Sequence, residues 1–325
     1  MGSGGCDMSL RSLTFSTRLW LLPLAALASP AAAVPSSPKE PQAKGPAAAK
    51  AEPRPALWLL ADEDTRIYMF GTIHILPPGF RWRSAALDKA VGESAELVVE
   101  TYEAPGAAAE AGGLDSLEGF LADKPVPILE RVPRKKRKAL KAAIDASGLP
   151  RPAFDAMHSW AAAMTLGIAQ MLGEYGIEDP AEAPGVEDVL EETFRSAGKP
   201  ILSVEDGDAV LASMSALPES VQRQLLVETI APAATPDDSS IHGVGEAEWV
   251  AGKAEALDLE SDPTFPPALF DVLVRRRNAA WTQWLEERLK KPGTLLFAVG
   301  AGHLAGRDSV QAMLEKRGLV VKRID

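Results

Sequence analysis

Short apolar segments that lead into a single ionisable residue occur at four widely separated places in this 325-residue chain. The segments are 66–70, 97–99, 200–204 and 294–299. The ionisable residues that follow them are His74, Glu100, Glu205 and His303. Apolar runs of this length predict buried β-strands, and connections that contain helices favour parallel neighbours. Ligands of an open α/β sheet bind outside the carboxyl ends of its parallel strands, so we expect these side chains to meet there.

Two of the segments end in a Gly-x-x-His motif, Gly71-Thr72-Ile73-His74 and Gly300-Ala301-Gly302-His303. A glycine at a strand exit allows close backbone approach, so the imidazole that follows can be directed into a cleft. Two imidazoles and a carboxylate make an open divalent-metal site. The same groups would equally make a metal-free acid/base pair. Because both histidines follow strands, we expect both to lie in loops outside the core.

A predicted amphipathic helix over 270–289 brings an arginine to its inward face. At about 100° per residue, Arg277 falls in the middle of the apolar stripe and Asn278 lies at the edge of the stripe. Burying an unpaired guanidinium is very costly, so Arg277 must have a partner. The pairing is either a structural salt bridge, with Glu205 as the candidate, or a clamp on an anionic substrate or transition state.

The N-terminus has the pattern of an export signal. Arg11 and Arg18 precede an apolar run over 19–28 that is too short to span a membrane, and Ala31-Ala32-Ala33 offers a cleavage site. We predict a signal peptide over 1–33 and a Pro/Ala-rich disordered tether over 34–55. The protein is then exported, either periplasmic or secreted, and it has no membrane span after signal cleavage.

Composition excludes several classes of protein. The net charge of −11 argues against a nucleic-acid partner. The single cysteine excludes a disulfide framework and a Cys-rich zinc site. Glycine-rich phosphate-binding motifs are absent, so a nucleotide cofactor has no support. The oligomeric state is left open by the sequence.

The motifs together resemble the TraB/GumN family (TraB/PrgY/GumN), which is related to the Tiki metalloproteases. The resemblance covers about residues 57–325 and is weakest in the middle of the chain. The resemblance rests on five segments of the sequence. The first two are the hairpin that leads to Gly71-Thr72-Ile73-His74-Ile75-Leu76-Pro77 and the strand that ends at Glu100. The other three are Gly198-Lys199-Pro200-Ile201, which leads to Glu205, Arg277-Asn278 with Trp281 after it, and the segment 297–306, which is followed by a helix and a strand over 318–321.

The resemblance implies a three-layer α/β/α fold with a central mixed, largely parallel sheet, similar to the erythromycin-esterase and ChaN-like proteins. The domain would occupy 56–325, with a mainly helical insert at 104–195. The implied activity is that of a divalent-metal-dependent hydrolase, a peptidase acting on a peptide or protein substrate. The metal would be Mn²⁺ or Co²⁺, with Zn²⁺ as the alternative.

The resemblance also assigns roles to individual residues. His74, His303 and Glu100 would hold the metal, with Arg277 beside them. We further predict that Glu100, Arg277 and Glu205 are catalytic and that Arg277 and Asn278 contact substrate. Two alternatives stay open, because a fold hosts many functions. One is a metal-free, esterase-like hydrolase that uses His and Glu, and the other is a non-catalytic protein that binds a peptide or small ligand.

Overall fold

The computed structural model describes residues 52–104, 119–179, 184–231 and 245–325. The predicted signal peptide and most of the predicted tether lie outside the described residues. Across the described ranges, no helix has both the length and the apolar character that a membrane span requires.

The strands of the described residues form one six-stranded sheet with the order β4-β3-β5-β2-β1-β6. β2, β5, β3 and β4 are parallel neighbours, whereas β1 is antiparallel to both β2 and β6. This arrangement confirms the predicted α/β class with a mixed, largely parallel sheet. The strands are β1 (Leu57–Ala61), β2 (Thr65–Thr72), β3 (Glu96–Val99), β4 (Ile201–Ser203), β5 (Gly293–Gly300) and β6 (Val321–Arg323).

The strand order brings the predicted site segments together. β1 and β2 form the predicted hairpin, in which the Asp62 carboxylate accepts a hydrogen bond of 2.9 Å from the backbone N–H of Thr65. β5 lies between β2 and β3. The chain therefore leaves these three parallel strands at one edge, and the segments that carry His74, Glu100 and His303 are neighbours there.

Helices occupy most of the rest of the described chain. α1 begins as predicted at Ser84, whose hydroxyl accepts a hydrogen bond of 3.2 Å from the backbone N–H of Leu87. The helices are α1 (Ala85–Glu93), α2 (Arg137–Ala146), α3 (Arg151–Ala156), α4 (Ser159–Glu174), α5 (Val186–Ser196), α6 (Gly207–Ser215), α7 (Glu219–Thr229), α8 (Glu246–Val250), α9 (Pro267–Phe270), α10 (Arg276–Leu289) and α11 (Val310–Lys316).

The sheet is packed between two helical layers. α1, α5 and α8 bury apolar side chains against one face, which includes Leu57 and Phe70. α10 and α11 pack on the opposite face, which includes Trp58 and Met69. Neighbouring residues of β1 and β2 thus point to opposite faces, as the two-residue period of a strand requires.

A separate helical core stands beyond the carboxyl edge of the sheet. Buried side chains of α2, α3, α4, α6 and α7 form it together with Leu269 of α9. A small cluster of Ile75, Leu172 and Ile177 joins α4 to the loop after β2. This helical core therefore covers the edge where the strands end.

Two elements differ from their predicted form. The C-terminal strand is Val321–Arg323 rather than 318–321, because Gly318 ends α11 with a positive φ of 86° and the N–H of Leu319 bonds back to Leu314. The predicted helix over 270–289 is present, but a wide π-helical turn, Asp271–Arg275, joins α9 to α10. Such turns are rare and are often found at functional sites.

Candidate functional site

The predicted ionisable residues converge around Gly300. A methyl group in place of the Gly300 hydrogen would lie 3.2 Å from Oε1 of Glu100, 3.6 Å from Cδ2 of His303 and 4.0 Å from Nε2 of His74. The backbone N–H of Gly300 donates a hydrogen bond of 2.7 Å to Oε1 of Glu100. Glycine at this position leaves the three functional groups room to face one another.

His74 is fixed by a carboxylate that the sequence reasoning missed. Its Nδ1 lies 2.9 Å from Oε1 of Glu187, which also accepts a hydrogen bond from the Thr72 hydroxyl. The Glu187 carboxylate raises the pKa of His74 to about 9, although burial acts in the opposite direction. The imidazole side chain is 61% exposed because it opens on a cleft. Nδ1–H is thus held, and Nε2 faces Gly300.

Glu187 lies on α5, and the start of this helix is built onto the loop that carries His74. The backbone N–H of Val186 donates to the carbonyl of Ile73 at 2.9 Å, and Gly185 packs against the backbone of His74. Glu187 is 9% exposed, and its Oε2 is buried without a hydrogen-bond partner. Its acidic first-turn position was visible in the sequence, but nothing there connected α5 with β2.

His303 is held from behind by Asn278. The Asn278 amide nitrogen donates to the carbonyls of His303 and Asp308 at 3.1 and 2.8 Å, so its oxygen accepts from Nδ1 of His303 at 2.7 Å. The structure places Asn278, which is fully buried, behind His303 rather than on the cleft wall where substrate contact was predicted. His303 is itself only 8% exposed, so the expectation that it lies outside the core is wrong.

The pKa of His303 moves in the direction opposite to that of His74. Burial, followed by the positive charge of Arg277, lowers the pKa of His303 to about 3. The ring packs against Trp281 in a tilted arrangement, with 4.4 Å between centroids and 48° between the ring planes, and its Nε2 lies 3.1 Å from Nη1 of Arg277. His303 is therefore a neutral imidazole whose Nε2 lone pair points toward the site.

Arg277 connects the two carboxylates that follow β3 and β4. Its guanidinium bonds to Glu100 on one side, and its Nε lies 3.0 Å from Oε2 of Glu205 on the other. The guanidinium also lies over the Trp281 ring, with its Cζ 4.8 Å from the ring centroid, and the Trp281 indole N–H donates a hydrogen bond of 3.0 Å to Glu205. The predicted salt bridge between Arg277 and Glu205 thus exists, and the predicted clamp on an anionic substrate or transition state stays a prediction. Glu205 binds the guanidinium from a position that does not line the cleft, whereas Glu100 contacts the guanidinium and lines the cleft.

The charges of this group depend on one another. Burial alone would raise the pKa of Glu100, but Arg277 in particular holds that pKa far below its usual range. Burial would lower the pKa of Arg277, and the two glutamates raise it instead, so the guanidinium stays charged. Burial raises the pKa of Glu205, and its bonds to Arg277 offset this only in part. Glu100 consequently remains ionised.

The side chains at the site are of the types that bind a divalent metal, but in their present positions they do not form a complete set of ligands around one ion. Nε2 of His74, Nε2 of His303 and Oε1 of Glu100 face one region, and each Nδ1 is held by a second residue, as is usual for metal-binding histidines. Among the described residues, no three His, Cys, Asp or Glu side chains are arranged to hold one ion. The Arg277 guanidinium instead contacts both Glu100 and Nε2 of His303.

These residues line a cleft of about 400 Å³ between the sheet edge and the helical core. The polar side is formed by His74, Glu100, Glu187, Arg277 and His303. Apolar side chains from α4, α7 and the π-helical turn line the cleft where it borders the helical core. A cleft of this size at the carboxyl ends of parallel strands is where an α/β protein is expected to bind a small molecule or a short stretch of a larger one.

Comparison with known proteins identifies a family and two relatives. The model of the TraB/PrgY/gumN family matches residues 56–323. The uncharacterized protein YbaP of Escherichia coli K12 is 27% identical over 198 residues, which cover 57% of this chain and 67% of that protein. YbaP of Shigella flexneri matches to the same extent. No solved structure matches, so the likeness to erythromycin-esterase and ChaN-like proteins stays an expectation. The chain belongs to the TraB/PrgY/gumN family.

Proposed function

We propose that this protein is a divalent-metal-dependent hydrolase, a peptidase, with its site at the carboxyl edge of the sheet. The observation that carries the proposal is that two imidazoles are held in the same way, each by a hydrogen-bond partner on its Nδ1. Nδ1 of His74 is held by Glu187 at 2.9 Å and Nδ1 of His303 by Asn278 at 2.7 Å, so both Nε2 atoms face the region of Glu100. Partners behind the ligands fix the tautomer and orientation that metal binding requires.

His74, His303 and Glu100 would hold the ion, which is Mn²⁺ or Co²⁺, or alternatively Zn²⁺. When bound, a divalent ion polarises a carbonyl oxygen and lowers the pKa of water. The chain's own groups would do the rest. Arg277, fixed by Glu205, would donate hydrogen bonds to the negative charge that develops on the carbonyl oxygen under attack. The apolar side of the cleft would exclude water around these charges and strengthen their effect.

A metal-free hydrolase is the second candidate, and the shifted pKa values of the two histidines favour it. The pKa is about 9 for His74 and about 3 for His303. Paired groups whose pKa values are pushed apart are suited to act as acid and base. His74 would donate a proton to the leaving group, and neutral His303 would accept one from water after Arg277 releases its Nε2.

Hydrolysis of a mixture of internally quenched peptides separates these candidates. We expect the full chain to lose its activity on exhaustive chelation and to regain it with Mn²⁺ or Co²⁺, whereas His74→Ala and His303→Ala stay inactive with either ion. His158→Ala, outside the cleft, is the matched control and should keep full activity. Activity that survives chelation would replace the metal-dependent proposal with the metal-free one. Peptide binding without any turnover would favour the non-catalytic alternative.

Export of the protein is a proposal of its own. It rests on the order of segments within residues 1–33, where basic residues are followed by an apolar run and then by small residues. We expect the protein recovered from cells to begin after Ala33, as read by N-terminal sequencing, and to be released with the periplasmic or secreted fraction. An intact N-terminus in the cytoplasmic fraction would contradict it.

A further inference from the structure

We propose that the cleft selects peptides that carry bulky apolar side chains next to the bond that is broken. This inference deepens the proposed function and rests on it for the identity of the reacting side. It starts from the chemical difference between the two sides of the cleft. The strand ends supply the charged side, and helix α4 supplies much of the other.

The α4 side is a continuous apolar stripe. Met164, Gly167, Ile168 and Met171 all line the cleft. Their spacing of three, four and seven residues places them on one face of the helix. Met164, Ile168 and Met171 are only partly buried, because their other surfaces face the cleft rather than protein. This stripe (the α4 stripe) is apolar surface that a ligand would cover.

The apolar side reaches the charged side at the π-helical turn. Leu273 and Val274 of that turn line the cleft, as does Leu225 of α7. The carbonyl of Leu273 accepts a hydrogen bond of 3.0 Å from Nη1 of Arg277. An apolar side chain that contacts Leu273 would thus lie close to the guanidinium. We therefore expect the peptide residue next to the reacting carbonyl to need an apolar side chain.

The dimensions favour a short peptide over a long acyl chain. From Met164 to Met171 the α4 stripe is about 10 Å long at 1.5 Å per residue. An extended peptide covers that distance with about three residues at 3.3 Å each. The two methionines are flexible and adapt to differently shaped partners. We therefore expect selection for apolar character over about three residues rather than for one particular side chain.

Binding of two fluorescein-labelled hexapeptide mixtures of equal net charge tests the inference. One mixture contains Leu, Ile, Met and Phe, and the other contains Ser, Thr, Asn and Gln. Anisotropy is measured with the full chain in EDTA, where the proposed metal-dependent turnover is blocked. We expect the apolar mixture to bind at least about tenfold more tightly, the range that apolar contacts in a pocket supply.

The double variant Met164→Gln, Met171→Gln should abolish that preference, since Gln nearly matches Met in size but is polar. Leu121→Gln is the matched control, because Leu121 is 46% exposed and lies outside the cleft. Thermal unfolding establishes that both variants are folded. Equal affinity for the two mixtures, or an unchanged preference in the double variant, would overturn the inference. Stronger competition by a long-chain fatty acid than by apolar peptide would overturn it in favour of a lipid.

Cleavage of the same mixtures after Mn²⁺ loading keeps the two proposals apart. Tight apolar binding without cleavage by any metal-loaded sample would refute the proposed hydrolase and leave the ligand class standing. Cleavage of both mixtures with equal kcat/KM would support the hydrolase and refute the apolar selection.

Discussion

At the scale of single residues, the site depends on the two side chains that bind the Nδ1 atoms of the histidines. Glu187 and Asn278 each hold one Nδ1, yet the two histidines carry opposite charge states. His74 pairs with a carboxylate and is protonated at neutral pH, whereas His303 faces a neutral amide and the Arg277 cation. The surroundings of each ring decide its protonation, the Glu187 carboxylate for His74 and burial with the Arg277 cation for His303, and the motif that both rings share does not.

The pKa of His74 should depend on Glu187. In metal-free Glu187→Gln we expect that pKa to fall from about 9 toward 6.5, because the amide keeps an acceptor but removes the charge. NMR titration of the imidazole protons measures it. Since the folded-state pKa is raised, the pair stabilises the fold fully below about pH 6.5 and loses this contribution as the pH rises through about 9. Exposed Glu192→Gln on the same helix is the control, and an unshifted pKa in Glu187→Gln would contradict the assignment.

The burial of His303 predicts a stability effect. His303→Ala removes a ring that packs against Trp281 and leaves the Asn278 amide oxygen buried without its donor. We expect a loss of about 1–3 kcal/mol in the free energy of unfolding, measured by urea denaturation. His158→Ala, at a half-buried position, should change stability by about 0.5 kcal/mol or less. Equal stability of the His303 variant and the wild type would show that the network around Asn278 is not formed.

At the scale of elements, the sequence predicted strands and helix faces better than it predicted contacts between distant elements. The periodicity of 270–289 placed Arg277 on the inward face, and the strand patterns placed His74, Glu100 and His303 at one edge. Periodicity could not show the π-helical turn, which depends on local hydrogen bonding. Nor could it show that α5 begins against the loop after β2, because that contact joins segments more than 100 residues apart.

The contact between α5 and the loop after β2 is tested by one added methyl group. In Gly185→Ala the new Cβ would clash with the carbonyl of His74 and lie 2.9 Å from its Cα, so α5 must move and take Glu187 with it. We expect stability to fall by about 1–3 kcal/mol and hydrolysis to be lost. Gly173→Ala on α4 is the control, since its Cβ would meet nothing within 4 Å. It should be neutral or stabilise the protein by up to about 1 kcal/mol. Similar thermal midpoints for both variants would argue against the tight contact.

At the scale of the whole molecule, the site draws on segments that are spread along most of the described chain. Thr72, Glu100, Glu187, Arg277 and His303 come from five separate elements or the turns after them. The strand-end motifs were recognisable because glycine and histidine have specific local roles. Glu187 was not, because its role arises only when the helices after β3 fold back onto β2. The same folding back gives the cleft its apolar side, which the sequence did not predict.

A ligand that joins such distant segments should stabilise the whole fold. If Mn²⁺ is held by His74, Glu100 and His303, a free concentration of 100 times its Kd raises the free energy of unfolding by about 2.7 kcal/mol. The shift in urea midpoint measures this. His74→Ala and His303→Ala should each abolish it, and the double variant should lose no more than either single one, because residues acting as one unit are not additive. His158→Ala should keep the full shift. An undiminished shift in the His74 and His303 variants would mean that Mn²⁺ binds elsewhere, and the absence of any shift in the wild type would remove the metal from the proposed function.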